Sequence, residues 1–120
     1  MFVKICVAVL TLLLPAFAFA DEMDSEQMFI VHFETGANWD ESVPPAEQPQ
    51  FHEHSANLKR LRQERTILFG ARYADLGVII IRADSLDSAN ALISADPGVQ
   101  AGIFEYRVES LSVFYPWQQP

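Results

Sequence analysis

The stretch Ala95–Gly102 separates a predicted helix from the last predicted strand of this 120-residue chain. Its Asp96-Pro97-Gly98 core ends the helix, because a residue before proline disfavours helical geometry and Asp and Gly favour turns. Ala101 and Gly102 permit a tight turn, and a long, largely apolar run continues through Phe114. This arrangement places one carboxylate, that of Asp96, at the rim of a sheet.

Apolar spacing and turn-forming residues divide the rest of the chain into six elements. They are strand, helix, strand, strand, helix and strand, predicted at Gln27–Glu34, Gln50–Arg65, Thr66–Tyr73, Val78–Ile81, from the N-cap Ser85 to before Pro97, and Ile103–Phe114. The short connection after Tyr73 predicts a hairpin. This order is typical of an α+β, ferredoxin-like β-α-β-β-α-β fold, in which two helices cover one face of a four-stranded antiparallel sheet.

Strands one and three are predicted to be apolar on both faces. Phe29, Val31 and Phe33 share one face of the first strand, while Met28 and Ile30 begin the other. Since two helices can cover only one side of the sheet, the second side needs another cover. A second copy of the chain is the simplest cover, so the sequence predicts a homodimer.

The last strand changes its apolar phase. Phe104, Tyr106 and Val108 alternate with charged residues, and the apolar positions then switch to Leu111 and Val113. A slip of one residue is typical of a β-bulge, which we predict near Glu109 and Ser110.

A long loop over residues 35–50 contains Trp39. Its glycine and prolines oppose regular structure, and long loops in small domains are often lids or simply mobile. Trp39 could cap a pocket, but packing on the outside of the domain is the interpretation we favour.

The first twenty residues have the pattern of an export signal. Lys4 provides the positive charge, Ile5–Leu14 forms the apolar region, and Ala18-Phe19-Ala20 is a cleavage site. A transmembrane anchor is the alternative, but the apolar run is short for a membrane span. We therefore predict a signal peptide at residues 1–20, a single domain at residues 21–120, and export to the periplasm.

Cleavage after Ala20 would remove Cys6, the only cysteine. The mature domain would then have neither disulfides nor thiol chemistry. The net charge of −8 argues against nucleic acid and anionic membrane surfaces as partners.

His54 and Asp96 are the predicted catalytic residues. Helical spacing puts His54 on the face of Phe51, Leu58 and Leu61, which should point towards the sheet. A histidine near a helix N-terminus tends to stay neutral and can act as a base, and a nearby carboxylate would fix its tautomer. The alternatives are a buried histidine bonded to a carbonyl and an aspartate that only stabilises a turn.

A metal site is not predicted. His52 and His54 are two residues apart on a helix, so their side chains do not face each other, and no full ligand set is evident. The sequence contains no phosphate-binding loop or dinucleotide fingerprint, so no cofactor is predicted.

Three further residues are candidates for binding a small-molecule substrate: His32, Arg72 and Tyr106. His32 ends the second face of the first strand in polar atoms, and Arg72 could bind a carboxylate in a pocket. Tyr106 could present its hydroxyl to a pocket. Two of them also have a structural alternative, Arg72 as an exposed ion pair and Tyr106 as part of the core.

The pattern His54-x-x-x-Leu58-x-x-Leu61, followed by Asp96-Pro97-x-x-x-Ala101-Gly102 and an aromatic strand, resembles the YCII-related domain family. The resemblance covers roughly residues 28–117. It implies a dimeric α/β barrel in which two ferredoxin-like sheets face each other, with His54 and Asp96 as a catalytic pair. It also implies proton-transfer chemistry, since a relative is a dehydrochlorinase.

Two functions follow as expectations. The first is a cofactor-independent enzyme of the lyase or isomerase type, in which His54 and Asp96 transfer protons on a small cyclic or carboxylated substrate. The alternative is a non-catalytic, exported ligand-binding or accessory barrel in which both residues are structural.

Overall fold

The computed structural model of the protein describes residues 26–120. The predicted signal peptide lies outside the described residues, so export stays a prediction. Within residues 26–120 no helix has the length and hydropathy needed to cross a membrane.

The elements along the chain are β1 (Gln27–Thr35), a 3₁₀ turn (Pro45–Glu47), α1 (Phe51–Gln63), β2 (Ile67–Tyr73), β3 (Leu76–Ala83), α2 (Leu86–Ser94), α3 (Pro97–Gln100) and β4 (Phe104–Leu111). The four strands form one antiparallel sheet in the order β2-β3-β1-β4. The α+β, ferredoxin-like prediction is therefore confirmed. The short helix α3 stands where only a turn was expected.

The core lies between the sheet and the two long helices. Phe29, Val31 and Phe33 of β1 are buried on one face, as their alternation predicted. They pack with Ile79 and Ile81 of β3 and with a helical contribution from Leu61, Ala89 and Ile93. Burial of each large apolar side chain contributes about 1.5–3 kcal/mol, which is the main stabilisation available to a domain of this size.

The other face of the sheet has no cover within the described chain. Strand register aligns Ile30 of β1 with Ile80 of β3 and Ile80 with Phe69 of β2, so these side chains form one apolar strip. Ile30 and Ile80 are half-buried and Phe69 is exposed. We call this the open face; it also includes Met28, His32, Ala71, Tyr73, Val78 and Leu111, by the same register.

The bulge predicted near Glu109 and Ser110 is wrong. β4 pairs with β1 without a shift from Phe104 to Leu111, and the strand ends there. Ser110 still faces the helices, while Leu111 lies on the open face opposite Met28. The apparent change of phase arises because Val113 lies beyond the end of the ladder. The sheet's irregularity is instead in β2, between Ile67 and Phe69.

Residues at the helix ends determine where the helices begin. Ser85 caps α2 by accepting from the Ser88 amide, and the Ser88 hydroxyl completes the capping box. α1 begins after Gln50, whose left-handed backbone (φ 62°) has no side-chain cap. The predicted limits of α1 were therefore one residue early at the start and two residues late at the end.

Candidate functional site

The first turns of α1 place His54 inside the domain. Its side chain follows Phe51 by three residues, so both lie on the sheet-facing side of the helix. His54 is 7% exposed, and its ring lies 4.5 Å from that of Phe104 and 5.6 Å from that of Phe33, between ring centroids. The prediction that His54 points towards the sheet is confirmed.

Asp96 is the N-cap of α3. Its backbone is extended, Pro97 occupies the first helical position, and Oδ2 accepts hydrogen bonds from the amides of Gly98 (3.0 Å) and Val99 (3.2 Å). The carboxylate thereby satisfies donors at the start of the helix. The expected turn role of Asp96 is confirmed, and its side chain is almost fully buried.

The same carboxylate contacts His54. Asp96 Oδ2 lies 2.6 Å from His54 Nδ1, although the residues are 42 positions apart. Asn57 donates from Nδ2 to the second oxygen, Oδ1, at 2.8 Å. Arg60 donates in turn to the side-chain Oδ1 of Asn57 at 2.8 Å, which orients the amide. Both carboxylate oxygens therefore have partners, and the pair is held from two helices.

Opposing effects act on the pKa of Asp96. Burial of the carboxylate raises the pKa, but hydrogen bonds from His54 and Asn57, the charge of His54 and the Val99 amide together outweigh it. The pKa of Asp96 consequently lies below the ordinary aspartate value of 3.8. An ionised Asp96 accepts the hydrogen on Nδ1 and so assigns the His54 tautomer that leaves Nε2 as an acceptor.

His54 Nε2 is accessible. It makes no hydrogen bond to any described residue, while every fully buried side-chain nitrogen or oxygen in residues 26–120 has a partner. Nε2 is therefore not fully buried, and His54 forms part of a cavity wall. A buried imidazole that is oriented by a carboxylate and open on its other nitrogen has the arrangement of a general base.

The adjoining cavity has a volume of about 670 Å³, enough for a small organic molecule. It lies at the end of the sheet where the C-terminal residues of β1 and the β2–β3 hairpin meet. Its wall combines aromatic side chains with charged ones: Phe33, Trp39, Phe51 and Phe104 among the former, Glu41, Arg72 and Asp75 among the latter.

Gly98 allows the His54–Asp96 contact. A Cβ at this position would lie 2.9 Å from Phe104 Cδ2, 3.0 Å from His54 Cβ and 3.1 Å from Asp96 Oδ2. Any side chain here would push the helices and β4 apart. Position 98 therefore requires glycine, because α1, α3 and β4 approach one another too closely there for a side chain.

The loop over residues 35–50 is fastened at both ends. Gln48 is buried; its Nε2 donates to the carbonyls of Asp40 (2.6 Å) and Val43 (3.2 Å), and its Oε1 accepts from the Asp40 amide. Asn38 donates to the Ala101 carbonyl at 2.9 Å. Trp39 packs on Phe104, with ring centroids 5.6 Å apart, and lines the cavity. The favoured prediction that Trp39 packs on the outside is wrong, because these bonds turn the loop inward.

The three predicted binding residues do not converge. Arg72 lines the cavity with His54. His32 lies on the open face, with Nδ1 3.2 Å from the Tyr73 hydroxyl. Tyr106 packs against the core and donates to the Asn90 carbonyl at 3.3 Å. Only Arg72 is placed to meet a ligand beside His54, since strand alternation sends His32 to the opposite face.

Residues 26–120 contain no cluster of three or more histidine, cysteine or acidic side chains suited to a metal ion. His52 is exposed while His54 is buried, which agrees with the expectation that the two do not face each other.

Sequence reasoning missed Asn57, Gly98 and Gln48. Asn57 carried a usable signal, because it follows His54 by three residues on the same helical face. Gly98 looked like ordinary turn chemistry, and no local pattern marks Gln48 as buried.

Comparisons with known proteins agree with this description. The family model of the YCII-related domain matches residues 28–112. Among solved structures, the chain is similar to 5-chloro-2-hydroxyhydroquinone dehydrochlorinase (TftG) from Burkholderia phenoliruptrix AC1100, in complex with 2,5-dihydroxybenzoquinone. That similarity has 20% identity and a TM-score of 0.47, and covers 78% of this chain and 95% of the other. No curated protein matches the chain.

Proposed function

This chain belongs to the YCII-related domain family, and on that premise we propose that it is a cofactor-independent enzyme of the lyase or isomerase type acting on a small cyclic molecule. One observation carries the proposal: the accessible Nε2 of a buried, carboxylate-paired histidine lies at the wall of a cavity. His54 and Asp96 are the proposed catalytic pair. Arg72 is the proposed binding residue nearest to them.

The chemistry is proton transfer. His54 Nε2 takes a proton from a carbon of the bound molecule, and the electron pair of the broken C–H bond forms a double bond. In a lyase the electrons then expel a leaving group; in an isomerase His54 returns the proton to another atom. The Asp96 carboxylate, kept ionised by its donors, stabilises the imidazolium formed in between.

The test is exchange of carbon-bound hydrogen in deuterated water. We expect the protein to catalyse deuterium uptake into at least one member of a panel of cyclic ketones, lactones and hydroxyquinols, followed by NMR. His54→Gln should lower the rate about 10²–10⁴-fold, the usual share of a general base. The matched control is His52→Gln, on an exposed neighbour of the same helix, which should retain the rate. Exchange that persists in His54→Gln would refute the role of His54.

The alternative is a non-catalytic binding or accessory barrel. The four hydrogen-bond donors around Asp96 favour this alternative, because they give the carboxylate a complete structural role as a helix cap. Binding of panel compounds that shifts the His54 NMR signals without deuterium uptake or product would support the alternative and contradict the enzyme.

We further propose two properties of the assembled protein. A second copy covers the open face, giving the homodimeric barrel of two facing sheets, for which the apolar strip is the support. The chain is exported to the periplasm with residues 1–20 removed, for which the sequence pattern is the support. N-terminal sequencing of the periplasmic protein should begin at Asp21, and retention of Met1 would contradict export by cleavage.

A further inference from the structure

The cavity wall near His54 is aromatic. Phe33, Phe51 and Phe104 surround the imidazole, and Trp39 extends the wall beyond Phe104. Aromatic faces carry negative electrostatic potential and attract cations, an effect of about 0.5–1 kcal/mol at exposed sites and more when water is excluded.

The charged residues of the same cavity are predominantly acidic. Glu41 and Asp75 line it, against the single guanidinium of Arg72, whereas the Glu34 side chain shares the face of His32 and points to the open face. None of Glu41, Asp75 and Arg72 takes part in the ion pairs found among residues 26–120, which join His54 to Asp96, Arg60 to Glu64, Arg82 to Glu26 and Arg107 to Glu109. Two negative charges against one positive charge leave one negative charge without compensation. A concave surface concentrates such a field more than a flat one does.

His54 favours a ligand that can donate a hydrogen bond to its Nε2. Its Nε2 is an acceptor in the tautomer that Asp96 assigns, and His54 is buried with that nitrogen unpaired. A ligand ammonium group can donate to Nε2, whereas a carboxylate has only acceptor atoms to offer. The ionised Asp96 behind the imidazole adds a further negative charge.

From this combination we propose that the cavity selects small cyclic cations, such as ring compounds carrying an ammonium group, over carboxylates of the same shape. The ring would lie against the aromatic wall, and the ammonium would donate to His54 Nε2 within the negative field of the acidic side chains. The inference rests on the proposed function only in that both use this cavity. It also revises the expectation that Arg72 binds a carboxylate, because the carboxylates of Glu41 and Asp75 line the same space.

Charge selection can be measured without any ligand, because Trp39 reports from the cavity wall. The chain has two tryptophans, so Trp117→Phe leaves Trp39 as the only one. We expect caesium to quench Trp39 more efficiently than iodide, each expressed relative to the free tryptophan amide, since a negative potential concentrates cations. The double substitution Glu41→Gln and Asp75→Asn should bring the two efficiencies together. Asp87→Asn, an exposed charge on α2 outside the cavity, should leave them unchanged.

A matched set of probes then tests binding. Benzylamine, benzyl alcohol and benzoate share a ring and differ in charge, and their binding to the Trp117→Phe protein is followed by Trp39 fluorescence at neutral pH. We expect benzylamine to bind at least about tenfold more tightly than benzoate and more tightly than the alcohol, with the advantage reduced by added salt.

Four results would overturn the proposal, three of them directly. These three are iodide quenching at least as efficient as that of caesium, benzoate binding as tight as that of benzylamine, and no binding of benzylamine. Equal binding of benzylamine and benzyl alcohol would also count against it, since the aromatic wall alone would then explain binding. These outcomes are independent of the deuterium-uptake rate, so a protein that fails the catalytic test can still show charge selection, and the converse also holds.

Discussion

At the scale of single residues, the His54–Asp96 contact links the site to the stability of the fold. Asp96 receives hydrogen bonds from His54, Asn57, Gly98 and Val99, so one carboxylate joins α1 to α3. These hydrogen bonds stabilise the fold fully only while the Asp96 carboxylate is ionised.

The pH dependence follows from the direction of the Asp96 pKa. A carboxylate whose pKa is lower in the folded state contributes stability that is present above the unfolded value, 3.8 for this aspartate. That contribution is lost as the pH falls through the lower folded value. We expect wild-type stability to the denaturant urea to decline below about pH 4 and the decline to be shallower in Asp96→Asn. Equal acid slopes in the two proteins would contradict this role for Asp96.

Gly98 offers a second test at this scale. Gly98→Ala places a methyl group against Phe104, His54 and Asp96, so we expect a loss of about 1–3 kcal/mol in the free energy of unfolding. The control is Gly70→Ala, where the new Cβ would meet its nearest neighbour, Ile79 Cγ2, at an ordinary 3.5 Å. Chemical denaturation measures both variants. A Gly98→Ala protein as stable as the control would show that the helices can move apart without cost.

At the scale of elements, the loop over residues 35–50 behaves as part of the site wall. Its amides at Gly36 and Asn38 donate to the carbonyls of Ile103 and Gly102, so the loop is bonded to the segment before β4. The short helix α3 approaches α1 from the same side. The cavity wall is thus formed partly by the loop over residues 35–50, and hydrogen bonds to the segment before β4 fix that loop against the sheet.

Gln48 is the residue on which we expect the loop to depend. Gln48→Ala removes its part-buried hydrogen bonds to the backbone of Asp40 and Val43, each contributing about 0.5–1.5 kcal/mol. We expect faster amide exchange in residues 38–48 and easier quenching of Trp39 by acrylamide. Gln63→Ala, at the exposed end of α1, is the control. Unchanged exchange in the loop would show that Asn38 and Gly36 hold it alone.

At the scale of the whole molecule, the open face is an apolar sheet surface that no other element of residues 26–120 covers. Phe69 and Tyr73 are 40% and 48% exposed, and the aromatic side chains of Phe114, Tyr115 and Trp117 beyond β4 are more exposed still. The Trp117 ring lies 6.2 Å from that of Phe69, so the segment after β4 reaches the edge of this face. Contiguous apolar surface of this kind marks a contact with another molecule.

The proposed homodimer predicts that the protein in dilute solution has twice the mass of one chain, measured by light scattering. Ile80→Glu places a charge at the centre of the apolar strip and should give a monomer that circular dichroism shows to be folded. Lys59→Glu, on the exposed side of α1, should remain dimeric. A monomeric wild-type protein would contradict the dimer.

The amino-acid sequence by itself determined the features that depend on local chemistry. The period of the apolar residues indicated the order of the elements and the inward direction of His54, and Ser85 marked a helix start through its capping side chain. These signals span a few residues, so they can be interpreted without knowing the rest of the fold.

Only the tertiary structure decided which residues that are distant in sequence contact one another. It brought Asp96 to His54 over 42 positions, added Asn57 to that contact, turned Trp39 towards the cavity and ended β4 at Leu111. These outcomes depend on strand register and on helix approach distances, such as the one that Gly98 permits. Both are set by the packing of many residues together, so no short stretch of sequence carries them.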